Sequence, residues 1–401
     1  MQDGQGYIET LSEWGTDIFP KLSWFRQDKV KNARVLVVGC GALGNEVLKN
    51  LALFGVEHFV IVDHDYIEPS NLTRSILFSR ADAEARKSKV EVISRRLQEI
   101  NPAIQVLPVH GDIAHDLGLG ILKQMDVAIG CVDNRYARYC LNRLCMRANI
   151  PWVDGGIDSL EGTARVFAPG KNCYACNLGP EGLKELSYRM SCSSIIKRNE
   201  ESGRVPTTPI IASIIGAVQA QEAMKIIHKK ELEQGEMSSL CGKMFYYEGQ
   251  HLTSRIVQFQ AYDDSCPVHE QWLPVQRAHS LTVQSTVGET LKALAQMLHA
   301  DSIEITLRDH SFVDFITKRS DNKKIPVMLP DFSVTDFIEK EDELKELLPT
   351  ELYQHEIQTV GKDFPYQNIT LSQLGIPPKD ILHIFTEQNE CYIELDDDLH
   401  V

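Results

Sequence analysis

Val35 to Phe78 reads VLVVGCGALGNEVLKNLALFGVEHFVIVDHDYIEPSNLTRSILF, and the first half of this stretch decides the fold. Four apolar residues, Val35 to Val38, run into Gly39, Gly41 and Gly44, and a second apolar run, Phe59 to Val62, ends on Asp63. That order predicts a strand, a glycine turn, a helix and a second parallel strand closing on an acid. Gly39 permits the tight reversal, Gly41 lets a phosphate approach the backbone, and Gly44 lets the helix lie close to the strand. The unpaired amides at the helix start then face an anion, and Asp63 stands where a ribose hydroxyl needs an acceptor. The pattern predicts a nucleotide site but leaves the nucleotide open, because the same turn serves dinucleotide redox enzymes and some ATP-using enzymes.

Working outward, DKVKNARVLVVG predicts a short helix feeding the first strand, and DYIEPSNLTRSILF is a polar loop carrying Asp65, Asn71 and Arg74. Arg80 to Ile100 has helical spacing and Gln105 to Val109 is a strand. The apolar run DVAIGCV stops at Asp133 and Asn134, a helix follows over Tyr136 to Ala148, and Ile150 to Val153 enters DGGIDSLEGTARVF. Strands alternating with helices predict an α/β fold, a doubly wound, mostly parallel sheet of Rossmann-like form covered on both faces. Ligands bind such sheets at the carboxyl ends of the strands. Gly39 to Gly44, Asp63, Asp133 and Asp154 are therefore predicted to share one rim, with helix and turn capping as the plainer role of the last two.

Gly179 to Pro206 has polar clusters and little periodicity, the form of a long loop of the kind that often carries function. TTPIIASIIGAVQAQEAMKIIHKK is small and apolar all round, which suits a buried helix, and Lys243 to Tyr247 with Ser254 to Gln260 predicts a hairpin. A linker is placed over Trp272 to Ala278, dividing the chain into units 1–275 and 276–401. The second unit predicts a small α+β domain: a strand in SLTVQ, a helix opening at Thr286 or Gly288, the run SIEITL, an acidic helix IEKEDELKELL, and the closing strands of DILHIF and CYIEL.

The 401 residues carry a formal net charge of −15, with 43% hydrophobic and 24% charged residues. That balance argues against a nucleic-acid partner, which needs a basic face to displace counterions. Apolar runs are expected to fall short of the length that spans a bilayer, so no membrane role is expected. The amino terminus has no secretory pattern, and a cytoplasmic protein is expected. Ten cysteines then point to metal or thiol chemistry rather than a disulfide framework.

Cys173 and Cys176 form one C-x-x-C pair, and Cys266 and His269 a second pair of the same spacing. Together they supply the four ligands of a closed, structural, tetrahedral Zn2+ site. Cys192 lies between Arg189 and the Lys197–Arg198 pair, and neighbouring cations favour a reactive thiolate. Cys40, Cys131, Cys140 and Cys145 sit in or beside apolar elements, as small buried hydrophobes do. Arg74 and Lys89 offer the positive charge that transfer at a phosphate requires, and Asp133 offers hard oxygen to Mg2+. Hydride transfer needs no such cluster.

GCGALG, DHDYIEPSNLTRSILF, the lysine at Lys89, CVDN at Asp133 and VDGGIDSLEGTARVFAPG followed by C-x-x-C resemble, in order and spacing, the ThiF/MoeB-type adenylyltransferases and the ubiquitin-activating enzymes. The resemblance covers roughly residues 30 to 270 and implies MgATP-dependent adenylation of the carboxyl-terminal glycine of a ubiquitin-like protein. By position it implies Asp63 on the ribose, Asn71, Arg74 and Lys89 on the phosphates, and Asp133 on magnesium; Gly39, Gly41, Gly44 and Asp65 complete the ATP site. MSCSS is similar to the short cysteine-bearing crossover of activating subunits, which implies Cys192 as a thioester nucleophile. TLSQLGIPPKDILHIF with YIELDDD resembles the ubiquitin-fold domain that recruits a conjugating enzyme, here through an acidic face at Asp396 to Asp398. No rhodanese loop is visible, which sets aside one sulfur-carrier form; a sulfur-carrier adenylyltransferase without a thioester step is the alternative. Relatives are dimeric, so a homodimer or a heterodimer with a related subunit is implied. Three departures stand out: Ala42 replaces a glycine, Ser75 replaces a glutamine, and an arginine expected upstream of Gln27, which in relatives enters the partner's site, is missing. Arg26 is a candidate substitute.

Overall fold

The computed structural model describes residues 19–179, 181–182, 184, 186, 207–269, 272, 274–307 and 309–399. Helix α1 (Gln27–Asn32) feeds strand β1 (Arg34–Val38), followed by helix α2 (Ala42–Phe54) and β2 (His58–Val62). After a short helix, Arg80–Glu84, come α3 (Lys89–Ile100), β3 (Gln105–Val109), β4 (Val127–Gly130), α4 (Arg135–Ala148), β5 (Trp152–Asp158) and β6 (Glu161–Phe167). Helix α5 (Pro209–Ile227) then leads to the hairpin β7 (Lys243–Glu248) and β8 (Thr253–Gln258).

These strands form one eight-stranded sheet in the order β3-β2-β1-β4-β5-β6-β7-β8. The pairs from β3 to β5 are parallel and those from β5 to β8 antiparallel. Strand β1 reads apolar without alternation because both faces are covered. Val35 and Val37 join Val47, Leu48 and Leu51 of α2 on one side, and Leu36 and Val38 join Leu141, Leu144 and Trp152 on the other.

Helix α5 is long and apolar enough to cross a membrane by length and composition, which corrects the expectation that no run reaches that length. Its Ile211, Ile215, Ala220 and Ala223 are buried in the fold against the sheet and α2.

The remaining elements are β9 (Val275–Arg277), α6 (Val287–Leu298), β10 (Glu304–Thr306), β11 (Phe312–Lys318), β12 (Lys324–Pro330), α7 (Val334–Lys340), β13 (Leu352–Ile357), β14 (Thr359–Val360), β15 (Ile381–Phe385) and β16 (Glu390–Glu394). They make a five-stranded sheet, β14-β10-β15-β16-β9, and a separate three-stranded sheet, β12-β11-β13.

Three expectations are corrected. The strand is not in SLTVQ: Val275–Arg277, inside the expected linker, pairs in parallel with β16, while Leu281 and Val283 pack as irregular chain. The acidic helix stops at Lys340, because acids at a helix carboxyl terminus oppose its dipole; Glu343 instead pairs with Lys318 at 3.1 Å and Lys323 at 2.6 Å. Asp396 to Asp398 is not a free acidic face. Asp396 pairs with Arg277 at 2.6 Å, and buried Asp397 accepts the Val283 and Lys379 N–H groups.

The two units are stitched together. Asp309 takes Arg143 at 2.6 Å and Arg147 at 3.0 Å, both from α4, while the Leu119 N–H donates to Asp380 at 2.9 Å. The ring of Trp272 stacks on Tyr392 with centroids 4.7 Å apart, and the Arg147 guanidinium lies over Trp272.

Candidate functional site

Sheet register brings the glycine turn, Asp63 and the segment leading to Asp133 to one rim. Val38 pairs with Val62 on one side and Gly130 on the other, and Gly130 pairs with Asp154. The residues that follow, Gly39, Asp63 and Cys131, therefore leave the sheet at the same level. Gly39 has φ +91°, and a Cβ there would lie 2.4 Å from the Cys131 carbonyl oxygen. Gly44 lies under the turn, where a Cβ would fall 2.1 Å from the Gly39 oxygen. No such neighbour crowds Gly41: a Cβ there would meet nothing within 4 Å, and α2 begins at the next residue. Gly41 thus leaves room beside the amino terminus of a 13-residue helix, the end of a helix that favours an anion. Ala42 is the first helical residue and is not among the positive-φ positions, so the replacement costs nothing there.

Asp63 is fixed from two sides: it accepts the Cys40 N–H at 2.6 Å on Oδ2 and the Asp65 N–H at 2.8 Å on Oδ1. Lys89 starts α3 with only 7% of its side chain exposed; Nζ lies 2.6 Å from Asp65 Oδ2 and 3.9 Å from Asp63 Oδ1. Asp63, Asp65 and Lys89 are thereby joined by direct contacts, and the Cys40 N–H ties them to the glycine turn.

Asn71 and Arg74 belong to the loop after β2. The Asn71 side chain accepts the Glu68 N–H at 2.9 Å in a capping box, so one of its polar atoms is committed to the loop itself. Arg74 donates from Nη1 to the Ser70 carbonyl at 3.2 Å, leaving other guanidinium N–H groups. Asn45 binds this loop to the turn, donating to the carbonyls of Cys40 and Gly41 and accepting the Leu77 N–H. The sequence reading passed over Asn45; its signal was a polar residue on the apolar side of α2. Ser75 is buried, with its hydroxyl unpartnered among the described residues.

Asp133 is exposed beyond β4, three residues after Gly130. Asp154 is fully buried, held by Arg138 at 2.9 Å and Arg165 at 2.6 Å. It belongs under the rim rather than on it, and Arg138 and Arg165 went unrecognised because their partner lies elsewhere in the chain. Burial, then Asp63 for Cys40 and Asp154 for Cys131, pushes both thiols well up, so these cysteines stay protonated.

Cys173, Cys176, Cys266 and His269 converge, with all four ligand atoms within 4.8 Å of one another. Cys173 Sγ lies 3.6 Å from Cys176 Sγ and 3.8 Å from Cys266 Sγ, and His269 Nε2 is 3.4 Å from Cys176 Sγ. Three thiols and an imidazole so arranged could hold zinc. Arg26 does not reach the rim: its guanidinium donates to the Ser23 and Phe25 carbonyls and pairs with Glu231, beyond the far end of α5. Cys192, and the crossover loop around it, lies outside the described residues.

The ThiF family profile matches residues 10–268. The chain is 32% identical over 248 residues to the SAMP-activating enzyme E1 of Haloferax volcanii, covering 60% of this chain and 82% of that protein. It is 28% identical over 292 residues to the mouse adenylyltransferase and sulfurtransferase MOCS3, covering 72% of this chain but 59% of that protein. Among solved structures, Escherichia coli MccB is 26% identical with a TM-score of 0.48, covering 61% of this chain and 66% of that one.

Proposed function

The chain belongs to the ThiF family, and from that premise we propose that it uses ATP to activate the carboxyl-terminal glycine of a ubiquitin-like protein. The observation that carries this reading is buried Lys89, paired with Asp65 and near Asp63, the acid that accepts a backbone N–H of the glycine turn. Hydride transfer does not require that cation, whereas transfer at a phosphate does.

In this reading Asp63 accepts from the ribose, and the glycine turn, Asn71, Arg74 and Lys89 hold the triphosphate. The modifier's carboxylate oxygen attacks the α-phosphorus; the bond to the β-phosphate bridging oxygen breaks, and pyrophosphate leaves as the acyl adenylate forms. Arg74 and Lys89 stabilise the charge that develops. Asp133 would hold Mg2+, which when bound neutralises phosphate oxygens. Cys173, Cys176, Cys266 and His269 would hold a structural Zn2+.

The second step belongs to Cys192. Its thiolate attacks the acyl carbonyl, AMP leaves, and the thioester passes to a conjugating enzyme recruited by unit 276–401. The likeness to a SAMP-activating enzyme supports this branch. A second reading is supported by the likeness to MOCS3: the adenylate passes to a sulfur donor and Cys192 is dispensable. In either case the reading has the protein in the cytoplasm, as a homodimer or paired with a related subunit, with the arginine that enters the partner's site in relatives supplied by Arg26 or from elsewhere.

Incubating the full chain with MgATP, a ubiquitin-like protein and a conjugating enzyme tests the branch. A thiol-sensitive conjugate that disappears in Cys192→Ala supports the thioester route. Adenylate without a conjugate overturns it in favour of the second reading.

A further inference from the structure

We propose that Arg138 is a positioning residue that sets the Asp133 turn and so governs how tightly the site takes a divalent cation with ATP; this rests on the ATP site proposed above. Asp133 sits on a clamped segment. Before it, the Val132 carbonyl accepts from Arg138 Nη2 at 2.7 Å. After it, Asn134 caps α4, its Oδ1 accepting the Ala137 N–H at 2.8 Å. Among the described residues the Asp133 carboxylate accepts one hydrogen bond, from Asn134 Nδ2 at 3.4 Å, and is exposed, so it is open to a cation while its backbone is held.

Arg138 does this from a largely enclosed position, with 12% of its side chain exposed. The same Nη2 also donates to the Gly155 carbonyl at 3.0 Å, and Nε donates to Asp154 Oδ1 at 2.9 Å. One planar guanidinium thus ties the end of β4 to β5, a geometry a lysine cannot copy. Asp154 is shared with Arg165, whose guanidinium lies over the ring of Tyr174, 5.4 Å from its centroid. Tyr174 sits between Cys173 and Cys176 and donates its N–H to Asn142 of α4. The clamp is therefore anchored in the body of the protein. Two largely enclosed arginines thus share the one buried carboxylate of Asp154.

A role confined to stability predicts that any loss at Arg138 weakens folding and ligand binding together. Positioning predicts a selective effect, because groups that orient a metal ligand are worth about 10-fold to 100-fold in metal affinity. The experiment measures ATP binding to the full chain by calorimetry, without magnesium and across a series of free Mg2+ concentrations. Arg138→Met is expected to raise half-saturating Mg2+ about tenfold or more, in the direction of Asp133→Asn, while ATP affinity without magnesium is retained. Arg138→Lys keeps a cation for Asp154 and is expected to restore the melting temperature but not the Mg2+ dependence. If Arg138→Met does not fold, the lysine variant reads the same shift.

A wild-type Mg2+ dependence in the folded variant overturns the inference. So does an equal loss of ATP affinity with and without magnesium. Pyrophosphate exchange, measured separately, reports on the proposed reaction: a variant-specific Mg2+ shift in a chain that exchanges no pyrophosphate supports the positioning role and refutes the reaction.

Discussion

Lys89 Nζ lies 2.6 Å from Asp65 Oδ2 and 3.9 Å from Asp63 Oδ1, almost wholly enclosed. An enclosed ammonium persists only when paired, and here its partners are the acid that fixes the glycine turn and the acid two residues later. The pair holds the cation beside the turn, where the proposed reaction needs it. Lys89→Met is expected to lower adenylation, read as pyrophosphate exchange, by about 10²- to 10³-fold. Activity within a fewfold of wild type would remove Lys89 from the chemistry.

Gly39→Ala tests the turn. The added Cβ would meet the Cys131 carbonyl at 2.4 Å on a residue with φ +91°. Strain of that backbone region alone costs about 1–3 kcal/mol, and relieving the contact must displace β4 or the turn. A lower melting temperature together with weakened ATP binding is expected; a variant matching wild type in both contradicts the geometry.

Elemental analysis of the purified chain is expected to find one zinc per molecule, lost together with thermal stability in Cys173→Ser. The physical ground is three thiols and an imidazole whose ligand atoms lie within 4.8 Å, a set that gains folding free energy when a metal closes it. Full stability without metal would leave the cluster as packed thiols.

The seam between the two units responds to pH through Asp380. Burial pushes its carboxyl up to about 6, above the unfolded value near 3.8. Between those values the folded chain binds a proton that the unfolded chain does not, so this group's contribution to stability rises as pH falls from about 6 towards 4. Asp380→Asn is expected to flatten that part of the pH–stability curve and to raise the melting temperature at neutral pH. Unfolding followed across that range checks both.

The nucleotide half of the fold was legible because its signals are local. Val35 to Asp63 carries strand, turn, helix and acid in one run, and Lys89 follows from position. The C-x-x-C pair and its partner were legible as spacing. What could not be read were groups defined by distant partners. Asp154 is an acid after a strand until Arg138 and Arg165 enclose it, and Asp397 looks like a surface charge until it takes two backbone amides. Val275 to Arg277 looked like linker because three residues carry no periodicity; its strand identity comes from pairing with Tyr392 to Glu394. The sheet β12-β11-β13 was missed because a register shift between Val313 and Phe315 interrupts the alternation along β11.

The most direct test is exchange of labelled pyrophosphate into ATP, with the full chain, Mg2+ and a ubiquitin-like protein. Exchange that requires the modifier's carboxyl-terminal glycine and falls steeply in Lys89→Met is the predicted result. Folded chain that binds MgATP yet exchanges no pyrophosphate with any ubiquitin-like protein would contradict the account.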